Sequence, residues 1–408
     1  MKIAMLTYGT EGDTRPLAAL GHALCEAGHD VCLLGDAHSL GSQHRFEGRM
    51  MPLSGDIQAL FGKGGRPTGG RDTAKALISL TNTHAAAWMK ETLSAARECD
   101  AIVTSGLAGF VGLSVAEYLK IPVLGAGMIP LTPSRAFPSP FLPPAWIPAP
   151  LNRASLVLTN QLFWLAFKKT LNRARAQVLG LPPRAKLWTD HSMLYGISPT
   201  ILPPPDDWPS HAHLCGQWRR PADAGYTPPD ALRDFLACGT APIYVGFGSM
   251  AGIDVPRTLE KIIAALNGRR AVVWPGRRDS RSMDLPDNIL HIDAVPHDWL
   301  FPRMAAVIHH GGSGTSHSAV RSGRPSIIVP FTGDQPFWAH RLHQLGVAPA
   351  AISPARLDAS TLLAAIDFVE KPAVVARAAE LGRRMAREDG LIAGVALVEK
   401  IFAKTGKA

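Results

Sequence analysis

The chain has 408 residues, more than one hydrophobic core normally organises, and 46% of them are apolar against 18% charged. That balance excludes a disordered chain, and no apolar run reaches the 18 residues that would suggest a membrane-crossing helix. The formal net charge of +9 suits an anionic ligand or an acidic membrane surface, whereas the lack of dense Lys/Arg runs with interleaved aromatics argues against nucleic acid as a partner.

The N-terminal run KIAMLTY is too short in its apolar part for a signal peptide and predicts a first strand that ends at Gly9. Leu17, Leu20, Leu24 and Ala27 then recur at helical spacing until Gly28 stops the helix. DVCLLGD is the next strand. ECDAIVTS and KIPVLGAG follow as two more, with the helical GFVGLSVAEYL between them. Such alternation predicts parallel strands with crossover helices. Cys25, Cys32, Cys99, Cys215 and Cys238 are scattered, odd in number and form no CxxC, which reads as free core thiols in a reducing cytosol.

Between Pro130 and Pro150 the pattern breaks into PLTPSRAFPSPFLPPAWIPAP, too rich in proline for a helix or a central strand. Its aromatic content predicts a semi-rigid loop in which Phe137, Phe141 and Trp146 cover or line something apolar, or else a loop packed on its own domain. A long helix follows, apolar in its first half with Phe163, Trp164 and Phe167, and basic over 168–175. The aperiodic, proline-rich stretch after residue 200 predicts a linker at 206–215.

The alternation then restarts. PIYVGFGSM, RAVVWPG, NILHIDAV, AAVIHH and SIIVPF read as strands, helical runs occupy 315–322 and 336–345, and 358–404 is helical almost throughout. The expected fold is therefore α/β, with two doubly wound, Rossmann-like parallel-sheet domains over 1–205 and 216–389 facing a cleft. Ligands in such sheets bind beyond the carboxyl ends of the strands.

One of those strand ends, HHGGSGTSHSAVRSGRP, carries more backbone-exposing residues than a turn requires. Gly311, Gly312, Ser313, Gly314 and Thr315 lie between a strand and a helix, where amides have no intrahelical partner and the helix dipole adds positive potential. This is an anion site suited to phosphate, with His310 within reach and Ser313 or Thr315 adding hydroxyl donors. It is neither a P-loop nor a dinucleotide GxGxxG turn. At the next strand end, Asp334 and Gln335 suit a polyol, so a sugar hanging from the phosphate would satisfy both; Asp334 also fits a helix cap. In the GFGSM turn, Gly248 and Ser249 would serve a second phosphate. In DAVPHDWLFPRM, the backbone at Val295 would pair with a base edge, and His297 or Trp299 would stack on a ring.

The stretch VPHDWLFPRMAAVIHHGGSGTSHSAVRSGRPSIIVPFTGDQPFWAHRLHQLGV resembles the donor signature of the UDP-glycosyltransferase superfamily. The FTGDQPFW ending and the GTEGDTRP start are most similar to the branch holding bacterial natural-product and sterol-type glucosyltransferases. The resemblance implies a GT-B fold whose last helix, in 390–408, crosses back onto the N-terminal domain. It also implies an inverting, metal-independent hexosyltransferase that uses a UDP-sugar, with glucose the default, and needs no cofactor. By it, His310 and the residues 312–315 would meet the donor phosphates, Ser249 the diphosphate, Val295 the base, and Asp334 with Gln335 the sugar hydroxyls. A hydrophobic small-molecule acceptor would lie against Phe137, Phe141, Trp146 and Trp164.

Transfer with inversion needs a base on the acceptor side. Asp13, on the first strand–glycine–helix turn, is the candidate, although an N-cap before Thr14-Arg15-Pro16 would also account for it. His22 and His29 read as structural. Asp36 ends the second strand where a dinucleotide fold would bind ribose, which leaves a weak case for NAD. His309 and His317 match no metal-ligand spacing. Three alternatives stay open: a membrane-surface enzyme glycosylating a lipid or sterol, a non-catalytic nucleotide-sugar-binding partner, and an epimerase. The reading places the protein in the cytoplasm or at the inner membrane face and leaves the acceptor, the choice between UDP and dTDP, and the oligomeric state open.

Overall fold

The computed structural model of the chain describes residues 1–57, 59, 70–221, 225–247, 255–274 and 285–405. They form two compact units: Met1–Ser139, Ile147–Arg220 and Asp389–Ala408 make the first, and Pro140–Trp146 with Pro221–Glu388 the second.

The first unit runs β1 (Lys2–Leu6), α1 (Glu11–Glu26), β2 (Asp30–Asp36), α2 (Ala37–Gly41), β3 (Arg49–Leu53), α3 (Gly70–Ala96), β4 (Ala101–Thr104), α4 (Gly109–Leu119), β5 (Val123–Gly127), α5 (Asn152–Ala174), β6 (Ser192–Tyr195) and β7 (Ala212–Leu214). These strands form a parallel sheet in the order β3-β2-β1-β4-β5-β6-β7. Side chains alternate across it, as the two-residue period of a strand requires. Ala4 and Leu6 of β1 join the core beneath α3, α4 and α5, while Ile3 and Met5 join a second core with Leu17, Leu20 and Leu24 of α1. Both faces are covered, which is why these strands read as continuous apolar runs.

The second unit runs α6 (Asp230–Ala237), β8 (Ile243–Gly246), α7 (Val255–Leu266), β9 (Ala271–Trp274), β10 (Ile289–His291), α8 (His297–Leu300), β11 (Val307–His309), α9 (Ser313–Arg321), β12 (Ser326–Ile328), α10 (Gln335–Gln344), α11 (Ala359–Val369) and α12 (Pro372–Met385). Its parallel sheet has the order β10-β9-β8-β11-β12. Both sheets therefore reverse direction once, between β1 and β4 and between β8 and β11, and the crevice at such a reversal is where doubly wound folds bind ligands.

The final helix, α13 (Gly390–Thr405), belongs to the first unit. Val398 and Phe402 enter the core around α1, and His29 Nε2 lies 3.1 Å from Glu399 Oε1. Its first turn lies so close to the chain at Gly216 and Gln217 that a Cβ at Gly390 would be 2.5 Å from the Gln217 carbonyl oxygen.

Two boundary expectations need correction. The stretch 206–215 is not a free linker: Ala212–Leu214 is the edge strand β7, paired with Met193–Tyr195, and the first unit continues to Arg220. The proline-rich loop is also divided, because Pro140–Trp146 groups with the second unit, where the 3-10 turn Pro144–Trp146 packs against α10. All five cysteines are free, with Cys32, Cys99 and Cys215 buried, Cys25 partly buried and Cys238 exposed.

Candidate active site

The β11–α9 turn lies at the sheet reversal of the second unit, with His309 in register with Gly246 of β8 on one side and Ile328 of β12 on the other. Gly311 has φ +92°, the left-handed region that favours glycine, and an added Cβ would be 2.7 Å from Ile328 Cγ2. Gly312 is the N-cap of α9 and Ser313, Gly314 and Thr315 form its first turn. No side chain caps this end, and the first intrahelical bond is Ser316 N–H to Gly312 O at 3.0 Å. The space over Gly314 is open. A helix start without a side-chain cap, its positive dipole end and open backbone thus coincide.

His310 lies over Gly312, where an added Cβ would be 2.6 Å from its Nε2. Burial lowers its pKa to about 4, so the ring is neutral at pH 7, and its buried Nδ1 has no partner among the described residues. His309 and His317 brace the turn. His309 Nδ1 accepts the Gly311 N–H at 3.0 Å, which puts its ring proton on a buried Nε2, and burial holds its pKa well below the usual range. His317 Nδ1 lies 2.8 Å from the Ser313 carbonyl, which can only accept, so that nitrogen carries the proton.

The neighbouring β12–α10 turn touches this one: a Cβ on Gly311 would be 3.1 Å from Gln335 O. Asp334 occupies the N-cap position of α10 without capping it. Its Oδ2 accepts the Trp338 indole N–H at 2.6 Å, and the fully buried Trp338 ring meets His317 edge-on with centroids 5.1 Å apart. Ser313, His317, Trp338 and Asp334 therefore form one contact chain joining the anion turn to the carboxylate. Buried Gln335 uses Oε1 to accept Phe331 N–H at 2.7 Å and Thr332 N–H at 3.1 Å. Val295 is partly buried against the core, and His297 stacks on Phe301 with centroids 4.2 Å apart, on α8, which packs against α9. Trp299 carries Arg303 4.1 Å from its ring centroid. Ser249 and Gly248 lie outside the described residues.

In the first unit, Asp13 stands at the equivalent strand end. It is not the N-cap; Thr10 is, and Asp13 is the third helical residue. Its Oδ2 accepts both the Thr10 N–H at 2.9 Å and the Thr10 hydroxyl at 3.2 Å, while Oδ1 has no partner among the described residues. The carboxylate lies on Gly9, where a Cβ would be 2.3 Å from Oδ2. Desolvation raises the Asp13 pKa, and the Thr10 bonds oppose that shift. Asp36 is no ribose ligand here: it is buried, accepts the Ser39 N–H at 3.0 Å as the cap of α2, and accepts the Ile57 N–H at 3.2 Å.

The four aromatics expected around the acceptor are divided between the two units. Trp164 is a core residue, its indole N–H bonded to Ala185 O at 3.2 Å and its ring packed on Phe110 and Trp188. Phe137 is buried against Trp208. Phe141 is partly buried and Trp146 is 78% exposed, both in the second unit. The sequence reading also missed Trp338, whose only signal is its position one helical turn after Asp334.

A sterol 3-beta-glucosyltransferase from Arabidopsis thaliana is 31% identical over 417 residues, covering 97% of this chain and 67% of that protein. The chain belongs to the UDP-glycosyltransferase superfamily. A sterol 3-beta-glucosyltransferase from Eremothecium gossypii is likewise 31% identical, but the chain spans only 34% of its length. The profile of the Erythromycin biosynthesis protein CIII-like C-terminal domain matches residues 258–390, which include the anion turn. Among solved structures, the glycosyltransferase of kitacinnamycin has a TM-score of 0.73 at 18% identity, covering 98% of this chain and 99% of that one. The calicheamicin glycosyltransferase CalG4 has 0.70 at 15%, with 98% of each chain covered. The two parallel-sheet units of this UDP-glycosyltransferase superfamily member have the GT-B fold. In the described residues of this family member, no three His, Cys, Asp or Glu side chains cluster as a metal site would require.

Proposed function

We propose that the protein transfers a hexose, glucose by default, from a UDP-sugar to a hydroxyl of a hydrophobic, sterol-like acceptor, with inversion at the anomeric carbon and without a metal ion. The observation that carries this reading is the uncapped α9 N-terminus beside His310 at the sheet reversal, with Asp334 tied to it through Trp338. The named activity of the sterol glucosyltransferase relatives supports the glucose and the acceptor class.

In this mechanism Asp13 Oδ1 takes the acceptor hydroxyl proton as the oxygen forms its bond to the anomeric carbon. The bond from that carbon to the diphosphate oxygen breaks on the opposite face, and the diphosphate leaves with the electron pair. The Oδ2 anchoring by Thr10 fixes the carboxylate while the other oxygen stays available, and the raised pKa strengthens it as a base. The amides at 312–315 meet the negative charge that develops on the leaving group. Asp334 and Gln335 orient sugar hydroxyls, the backbone at Val295 meets the base, and His297 holds that loop.

The test is a thermal-shift screen of UDP- and dTDP-sugars, followed by mass spectrometry with sterols and other apolar alcohols. A glycoside one hexose heavier than the acceptor, formed at an unchanged rate with chelator, is the expected result. No product and no stabilisation by any nucleotide sugar would refute it.

A further inference from the structure

We propose that the outward face of α5 is a docking surface for an anionic lipid bilayer. One face of this helix is built into the first core through Leu156, Trp164, Phe167 and Leu171. The opposite face is apolar as well. Leu158, Leu162 and Leu165 are 54%, 55% and 62% exposed, and their spacing of four and three residues stacks them in one stripe. Soluble monomers rarely leave such a contiguous apolar surface without a use for it.

Further along the same face the stripe changes character. Lys169 follows Leu165 by four residues and Arg173 follows Lys169 by four, and both are exposed, with Lys168 beside them. None of these three has a carboxylate partner among the described residues, and no acidic residue occurs between Glu117 and Asp190. Arg175 differs: it is buried and paired with Glu117 at 2.8 Å, so it belongs to the core. The exposed face is therefore leucine at one end and cationic at the other. A second copy of this chain would find no carboxylates here to meet its own cations, whereas acidic headgroups over an acyl layer match both ends. No described helix is long and apolar enough to cross a bilayer, and α5 is held by its core face, so the helix would lie on the surface.

This inference rests on the α5 face and not on the transferase reading, so its test omits nucleotide sugar and acceptor. The full chain is floated with phosphatidylcholine vesicles containing phosphatidylglycerol and with phosphatidylcholine alone. Wild type is expected to float with the anionic vesicles and to be released by salt. Leu162→Asp with Leu165→Asp should reduce that binding about 10-fold or more at an unchanged melting temperature. Lys168→Glu with Lys169→Glu should abolish the preference for anionic vesicles. Should the aspartate pair not fold, Leu162→Ser with Leu165→Ser is read in its place. Failure of wild type to float, equal binding to both vesicle types, or unchanged binding by the folded leucine variant would overturn the proposal. So would a wild-type dimer in sedimentation that the leucine variant dissociates, because the face would then belong to a second copy.

Discussion

Gly311 and Gly312 are adjacent, yet alanine should act on them in opposite ways. Gly311 has φ +92°, where an L-residue costs about 1–2 kcal/mol, and its Cβ would press on Ile328 Cγ2 at 2.7 Å, an overpacking worth about 1–3 kcal/mol more. Gly311→Ala should therefore lower the melting temperature of the second unit by on the order of 10 °C, at roughly 2–4 °C per kcal/mol. Gly312 has φ −61° and ψ 148°, which any residue adopts, so Gly312→Ala should leave the melting temperature within about 2 °C of wild type. Its Cβ would be 2.6 Å from His310 Nε2 and must push that ring off the turn. Losing one hydrogen bond to a charged phosphate costs about 1.5–3 kcal/mol, a weakening of UDP-glucose binding by about 10- to 100-fold. Calorimetry gives the melting temperature, and titration calorimetry the affinity. Wild-type affinity in Gly312→Ala would refute the placement of His310 on the donor phosphates, and an unshifted melting temperature in Gly311→Ala would refute the strain argument.

Three further outcomes follow from the same geometry. Asp13→Asn should keep UDP-glucose affinity while the transfer rate drops about 100-fold or more; a surviving rate would reduce Asp13 to a helix-start residue. Trp338→Phe removes the indole donor from Asp334 and should raise the KM for donor about 10-fold with a smaller change in kcat, read from initial rates over a range of UDP-glucose. His309, His310 and His317 all have pKa values lowered by burial, the latter two to about 4. Above the unfolded value near 6.5 both states are neutral and stability is complete. Below it the unfolded chain takes up protons that the native state refuses, so stability should fall by about 4 kcal/mol per pH unit for the three together, down towards pH 4. The raised pKa of Asp13 works in the other sense and softens the slope. Urea unfolding midpoints at pH 7, 6 and 5 measure it, and a flat profile would refute it.

The α9 turn was legible in the sequence because its chemistry is local: a strand end, a left-handed glycine and an uncapped helix start all lie within seven or so consecutive residues. The central strands were legible too, since burial on both faces gives unbroken apolar runs such as IAML and IIV. The edge strands β3 and β7 were not. RMMPL and AHL are polar or carry a proline, and only pairing with β2 and β6 makes them strands. The burial of Trp164 was hidden for a different reason. When a helix such as α5 carries apolar residues on opposite faces, periodicity cannot say which stripe the core takes. The core took Trp164 and Phe167, and the leucines were left outside. Asp13 illustrates the limit of cap signals: the residue type was right for a helix start, but Thr10 took the cap and Asp13 reached back to it.

The helix α13 supplies Val398 and Phe402 to a core begun by Ile3 and Met5, so the first unit is stitched from segments on either side of the second. These 16 residues are synthesised after the whole of the second unit. Until then α1 and the sheet beneath it present a greasy flank to water, while the second unit, already synthesised in full, is free to fold. Separate expression of 1–220 should for this reason give aggregates, and adding a peptide of 389–408 should return part of the material to solution.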